Sequence, residues 1–243
     1  MKVRPYRFLT LIIFVCFSKT YAQTITVDSF KTEISENNLI ELFDQNIKDR
    51  SDLYNGPAYE APEKAYKGSV FFNNLNYFVP CNIRYNGYLY KNIPLLYDVF
   101  KNVFVSSSPA GFNFILFGTK VEYINLSGHH FIYLDSQKAA GLEEGYYDEL
   151  YKGATSVIVK RIKKISNNVT EQAVEITYTD ESETYIKHNG RYFAANSKSE
   201  LMEILKDKKN ELSQFFKSNK VKFNKDKEAS VVVLAKFYDQ ISN

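Results

Sequence analysis

Three histidines, one cysteine beyond the N-terminal segment and a few neighbouring carboxylates are the side chains of this 243-residue chain that could do chemistry. The histidines are His129, His130 and His188. A zinc site needs three or four ligands in a recurring spacing such as His-Glu-x-x-His, and no such spacing occurs. Adjacent residues of a strand point to opposite faces, so His129 and His130 cannot both aim at one ligand from a regular strand. Either of them, set across a sheet from Asp98 or Asp135, would make the acid–base pair of a hydrolase. Cys81 with His129 or His130 is the one thiol–imidazole pairing on offer, and Ser106-Ser107-Ser108-Pro109 before Gly111 reads as a turn because it lacks a Gly-x-Ser-x-Gly elbow. Glu143-Glu144 and Asp148-Glu149 could flank a glycosidic bond. The first pair lies in a loop bounded by Gly141 and Gly145, the second at a strand, where solvent exposure accounts for them. There is no tryptophan for a sugar to stack on, and no Gly-x-x-x-x-Gly-Lys loop for a phosphate. The sequence therefore assigns no catalytic residue, no cofactor and no metal ligand.

The elements that must position these groups read as an α+β chain. From Gly68 to Ala195 short alternating segments are separated by turn residues, the pattern of an antiparallel β-meander curled into an open barrel or a curved sheet. Asn86-Gly87 between Arg84-Tyr85 and Tyr88-Leu89-Tyr90 predicts a type I′ hairpin, and Asn189-Gly190 between Ile186 and Phe193 a second. Strands are expected at about 93–100, 103–107, 112–117, 120–126, 129–135, 146–151, 154–165 and 172–179. The links are too short for parallel crossovers, so neighbours must pair antiparallel. The chain holds 19 Tyr and 19 Phe, which suit a pleated, half-buried surface and are in the first place a β signal. After residue 196 the period becomes helical. Ser197 with Glu200 predicts a capping box ahead of Leu201, Ile204, Leu205, Leu212, Phe215 and Phe216. A second helix is expected from Asp226 to Ile241, with Val233, Leu234, Phe237, Tyr238 and Ile241 on one face, so that 197–243 is a helical hairpin packed on the 68–196 sheet.

Residues 1–22 have the parts of a cleavable signal peptide: a basic head (Lys2, Arg4, Arg7), an apolar run from Phe8 to Phe17 and a small-residue exit, with cleavage expected between Ala22 and Gln23. Such an apolar run is too short for a membrane-crossing helix. Cys16 follows Phe14-Val15, whereas a lipobox needs a small residue before the cysteine. Removing the segment takes away Lys2, Arg4, Arg7 and Lys19 and no acid, which moves the formal charge from +3 to −1. The basic balance of the whole chain is thus a property of its leader and argues for no nucleic-acid partner. Lys217, Lys220, Lys222, Lys225 and Lys227 are interleaved with acids and read as a solvated face. A lone Cys81 in an apolar run, Tyr77 to Cys81, predicts a buried thiol. Residues 23–67 predict an irregular N-terminal segment, with a short amphipathic helix at 38–47 and a turn at Tyr54-Asn55-Gly56-Pro57.

Leu53-Tyr54-Asn55-Gly56-Pro57, Lys91-Asn92-Ile93-Pro94-Leu95-Leu96-Tyr97-Asp98, Gly128-His129-His130-Phe131 and Phe223-Asn224-Lys225-Asp226-Lys227-Glu228-Ala229 together resemble a group of uncharacterised exported proteins of Bacteroidetes-type bacteria. The resemblance spans most of the chain after residue 22. It implies export to the periplasm, the outer membrane or the exterior, and no activity.

The reading that follows is an exported, non-catalytic module for an apolar small molecule or an envelope protein, with no nucleic acid and no transmembrane helix in the mature chain. The alternatives are a hydrolase built on His129 or His130, and an outer-membrane barrel, since strands of this kind also build such barrels.

Overall fold

A computed structural model describes residues 52–62, 67–169 and 174–242. The expected signal peptide with its Ala22–Gln23 junction and the expected helix at 38–47 lie outside the described residues. Ten antiparallel strands form one sheet: β1 (Val79–Tyr85), β2 (Tyr88–Asp98), β3 (Val103–Ser107), β4 (Asn113–Ile115), β5 (Val121–Leu126), β6 (His129–Leu134), β7 (Gly145–Tyr151), β8 (Val157–Val169), β9 (Val174–His188) and β10 (Arg191–Ala194). Both predicted hairpins form. Asn86 and Gly87 have φ of 50° and 83°, Asn189 and Gly190 49° and 80°, the two left-handed positions of a type I′ turn. Ser127 and Gly128 repeat this geometry between β5 and β6.

The spatial order is β10-β9-β8-β7-β6-β5-β1-β2-β3-β4, so one step departs from a simple meander: after β4 the chain returns to lay β5 beside β1. Residues 116–120 make that return and include a 3₁₀ turn at Gly118–Lys120. In a flat sheet the link would have to cover four strand spacings, roughly 19 Å, which is close to the reach of so few residues even when fully extended. The sheet must curl. It remains open, with β4 and β10 as its edges, whereas an outer-membrane barrel needs a closed ring of strands.

The curl gathers the inward residues of β1–β7 into one core that includes Ile83, Leu95, Tyr97, Phe104, Ile124, Phe131 and Tyr146. Its centre is a set of rings in mutual contact. Tyr97 stacks on Phe104 (centroids 4.4 Å, 6°), and Phe131 meets Tyr97, Phe104 and Phe72 edge-on at 5.0–5.4 Å. The expected cysteine burial also holds: Cys81 belongs to this core and gives its S–H to Val79 O.

The other half of the sheet carries the helices α1 (Lys198–Ile204), α2 (Lys209–Ser218) and α3 (Lys227–Ser242). The predicted capping box is present: Ser197 Oγ accepts from Glu200 N while Glu200 reaches back to Ser197 N. The first arm of the hairpin is broken by a 3₁₀ turn at Lys206–Lys208. Asp226 caps α3 by accepting from Ala229 N. The buried stripe of α3 is Val231, Leu234, Ala235 and Tyr238, so the predicted apolar face is rotated and Val233 points to solvent. These side chains pack with Leu201, Leu205, Leu212 and Phe216 over Val157 and Ile186. No helix among the described residues is long and apolar enough to cross a membrane.

Phe131 is fully buried among four ring neighbours. Phe131→Ala is expected to cost about 3–5 kcal/mol, read as a lowered midpoint in urea unfolding. Burial pushes the Cys81 thiol from its ordinary 9.0 up to about 12. A native thiol that stays protonated should resist alkylation at pH 8 and react only on unfolding. Because the unfolded thiol ionises first, stability should fall as pH rises from about 9 towards about 12, and a Cys81→Ala chain should lack that part of the decline.

Candidate functional site

Between the aromatic core and the helix-covered half, the inner face of the sheet turns polar. Register explains why. Phe131 pairs with Asp148 and Asp148 with Val159, so His129, Phe131, Asp148, Val159, Arg161 and Lys163 all face inward on neighbouring strands. The Asp148 side chain is completely buried, and a carboxylate in that position needs compensation. His129 Nδ1 lies 2.6 Å from Asp148 Oδ2, and Arg161 donates to the same oxygen through Nη2 (2.5 Å) and Nε (3.1 Å). Arg161 also reaches Glu228 in the first turn of α3, with Nη1 to Oε1 at 2.7 Å and Nη2 to Oε2 at 3.0 Å. One guanidinium thus joins two carboxylates, one on the sheet and one on a helix. Burial works against the charge of Arg161, but Glu228 and Asp148 outweigh it and hold its pKa above the ordinary value.

A cleft of about 300 Å³ adjoins this cluster. Phe72, Asn73 and Val99 form one wall, and Arg161, Ile162, Asp180, Glu181 and Ser182 of the long β8–β9 ribbon form the other. Lys163 ties the walls together: its fully buried ammonium donates to Asn74 Oδ1 (2.9 Å) on one side and meets Asp180 Oδ1 (2.7 Å) on the other. Asn73 and Asn74 hold left-handed backbone at φ 52° and 55°, which sets Phe72 edge-on to the His129 ring at 4.9 Å.

The predicted chemical residues are mostly kept apart. His129 meets an aspartate, but neither of those expected. Asp98 is buried and accepts from Tyr59 OH (2.8 Å) and Lys101 N (2.9 Å); Asp135 caps its own turn through the N–H groups of Gln137 and Lys138. His130 lies on the outer face beside Asn125 and stacks on Tyr123. His188 packs against Tyr238. Glu143 pairs with Lys160, Glu144 accepts from Tyr133 OH, and Asp148 and Glu149 point to opposite faces, so neither carboxylate pair flanks a common site. Ser106 gives its hydroxyl to Pro94 O and is buried, and Cys81 lies in the aromatic core. Among the described residues no group of three or more His, Cys, Asp or Glu is placed to hold a metal ion. Arg161 and Glu228 were not among the predicted residues. The signal that could have found Arg161 is its position on the inward face of a strand, in line after the buried and apolar Val157 and Val159.

An inward histidine bonded through Nδ1 to a buried aspartate leaves Nε2 as the free position, the half of an acid–base dyad that would face a substrate. No hydroxyl or thiol is bonded to His129 among the described residues, and Arg161 draws on the same carboxylate oxygen. No family model, no curated protein and no solved structure matches the chain. The class the fold defines is an α+β protein with a curled, open, ten-stranded antiparallel sheet.

Arg161→Ala removes the common partner of Asp148 and Glu228 and strands a buried charge. The expected loss is about 3–5 kcal/mol, measured by denaturant unfolding at pH 7. A smaller loss is expected from Glu228→Gln, because Arg161 keeps Asp148.

Proposed function

We propose that the mature chain is an exported, non-catalytic binding module of the cell envelope that docks a partner protein. The observation that supports this reading is where the aromatic side chains go. Those inside pack on one another and make a core; others are left at the surface, and one of these, Phe100 of the β2–β3 turn, sits against the β8–β9 ribbon. There Phe100 packs edge-on against Tyr178 at 5.4 Å, and Tyr178 pairs across the strands with Ile165. Phe100 and Ile165 are each 43% exposed. An exposed ring and an exposed isoleucine beside a polar cleft fit a protein-binding surface. A bound apolar small molecule would want the interior that Tyr97, Phe104, Phe131 and Tyr146 already fill.

In-cell cross-linking through a photoreactive residue at position 100 is expected to yield a discrete adduct that Tyr178→Asp and Ile165→Asp abolish. A lipid co-purifying in stoichiometric amount, with no adduct, would overturn the reading.

One distance favours a second reading, a hydrolase with His129 as general base oriented by Asp148, because their 2.6 Å bond is the geometry such a base needs. Its test is loss of any measured hydrolytic turnover in His129→Gln with unchanged unfolding.

A further inference from the structure

Beyond Val159, strand β8 has no strand neighbour but β9 among the described residues, so 160–169 and 174–183 form a two-stranded ribbon. Such a ribbon is marginally stable by itself and needs fastening to something else. A bridge at Lys67 holds one part of it, and Lys163 holds the middle. Lys163 stands directly opposite Asp180 in the β8–β9 register, and its side chain is wholly buried. Its Nζ lies 2.7 Å from Asp180 Oδ1 and donates to Asn74 Oδ1 at 2.9 Å. Asn74 belongs to the turn ahead of β1, 89 positions away in the chain.

A primary amine, a carboxamide and a carboxylate therefore meet at one nitrogen. One of the two partners of this buried cation is an uncharged amide, and the carbonyl carbon of an amide is an electrophile. Asn74 Cγ is one bond beyond the oxygen that Lys163 touches, within a small side-chain rotation of the amine. Two successive left-handed residues, Asn73 and Asn74, hold the amide there, a pairing uncommon outside glycine. The Asp180 side chain is 66% exposed, so its carboxylate connects the buried amine with bulk water.

We propose that the folded chain joins Lys163 to Asn74 by an amide bond between Nζ and Cγ, with Asp180 as proton carrier. Asp180 first takes a proton from the Lys163 ammonium, and the freed amine attacks Asn74 Cγ. Asp180 then gives its proton to Nδ2 and takes one from the attacking nitrogen. The Cγ–Nδ2 bond breaks, and ammonia departs with that last proton as ammonium, leaving Asp180 a carboxylate again. Nothing is oxidised or reduced and no co-reactant enters. Two features drive the exchange forward: the tethered amine acts at a high effective molarity against free ammonia, and a neutral amide replaces a buried charge. The product is a covalent staple from the turn before β1 to the middle of the ribbon.

The test is peptide mapping of the purified mature protein after reduction and trypsin digestion. Trypsin does not cut after an acylated lysine, so peptide 68–84 should appear joined to peptide 162–164, lighter than their sum by one ammonia. The branched peptide decides the matter and not the total mass, because Asn-Gly turns and an N-terminal Gln23 can also shed ammonia. In denaturing electrophoresis the parent should run ahead of Asn74→Gly, a change that suits the left-handed backbone, since the stapled loop stays closed. Asp180→Asn, on an exposed side chain, should fold and, purified soon after synthesis, hold less than about a tenth of the parent's branched peptide. Peptide 68–84 recovered only free, with Asn74 intact or hydrolysed to aspartate, would overturn the proposal. A branched peptide formed equally well by Asp180→Asn would do the same for the role given to Asp180.

Discussion

The inner face of the sheet carries a buried negative charge, Asp148, and the neutralisation of that charge by Arg161 is the contact on which the rest of the arrangement depends. A carboxylate removed from water is tolerated only when a cation and hydrogen-bond donors stand against it. Arg161 supplies both from the neighbouring strand, and its planar fork has donors to spare for Glu228. The aromatic core of β1–β7 and the helix-covered core of β8–β10 share no central hydrophobic cluster. A guanidinium bonded on one side to β7 and on the other to α3 is therefore a joint between them. Thr155 and Asp239 make a second joint at the far end of α3, where the carboxylate accepts from Thr155 N, Thr155 Oγ1 and Tyr151 OH.

The tyrosines show how a core can be aromatic without stranding many polar atoms. Tyr97 sends its hydroxyl to Asn102 Oδ1, Tyr147 to Glu143 O and Tyr59 to Asp98, each at 2.7–2.8 Å. Asn102 also accepts from Tyr146 N, so one amide in the β2–β3 turn fastens that turn to β7 across the inside of the curl. Tyr85 and Tyr146 are the exceptions, their hydroxyls buried and unbonded within the described residues. Burial raises the pKa of Tyr146 well above the ordinary range and keeps it neutral.

Much of the fold was legible because it is written in local signals. Asn-Gly pairs fixed two turns, alternation fixed the strands, and Ser197 with Glu200 fixed a helix start, each a matter of neighbours within four residues. What was not legible depends on distant neighbours. The return of β5 to β1 has no local signature, since a short link after β4 would serve equally for a hairpin. The face of α3 was misjudged because Val231 and Val233 are alike in type, and only packing over Val157 and Ile186 tells them apart. For the site, the sequence singled out His129 but not its aspartate. Asp98, Asp135 and Asp148 all stand in or at the end of strands, and register across β6 and β7, not residue type, brings Asp148 to the histidine.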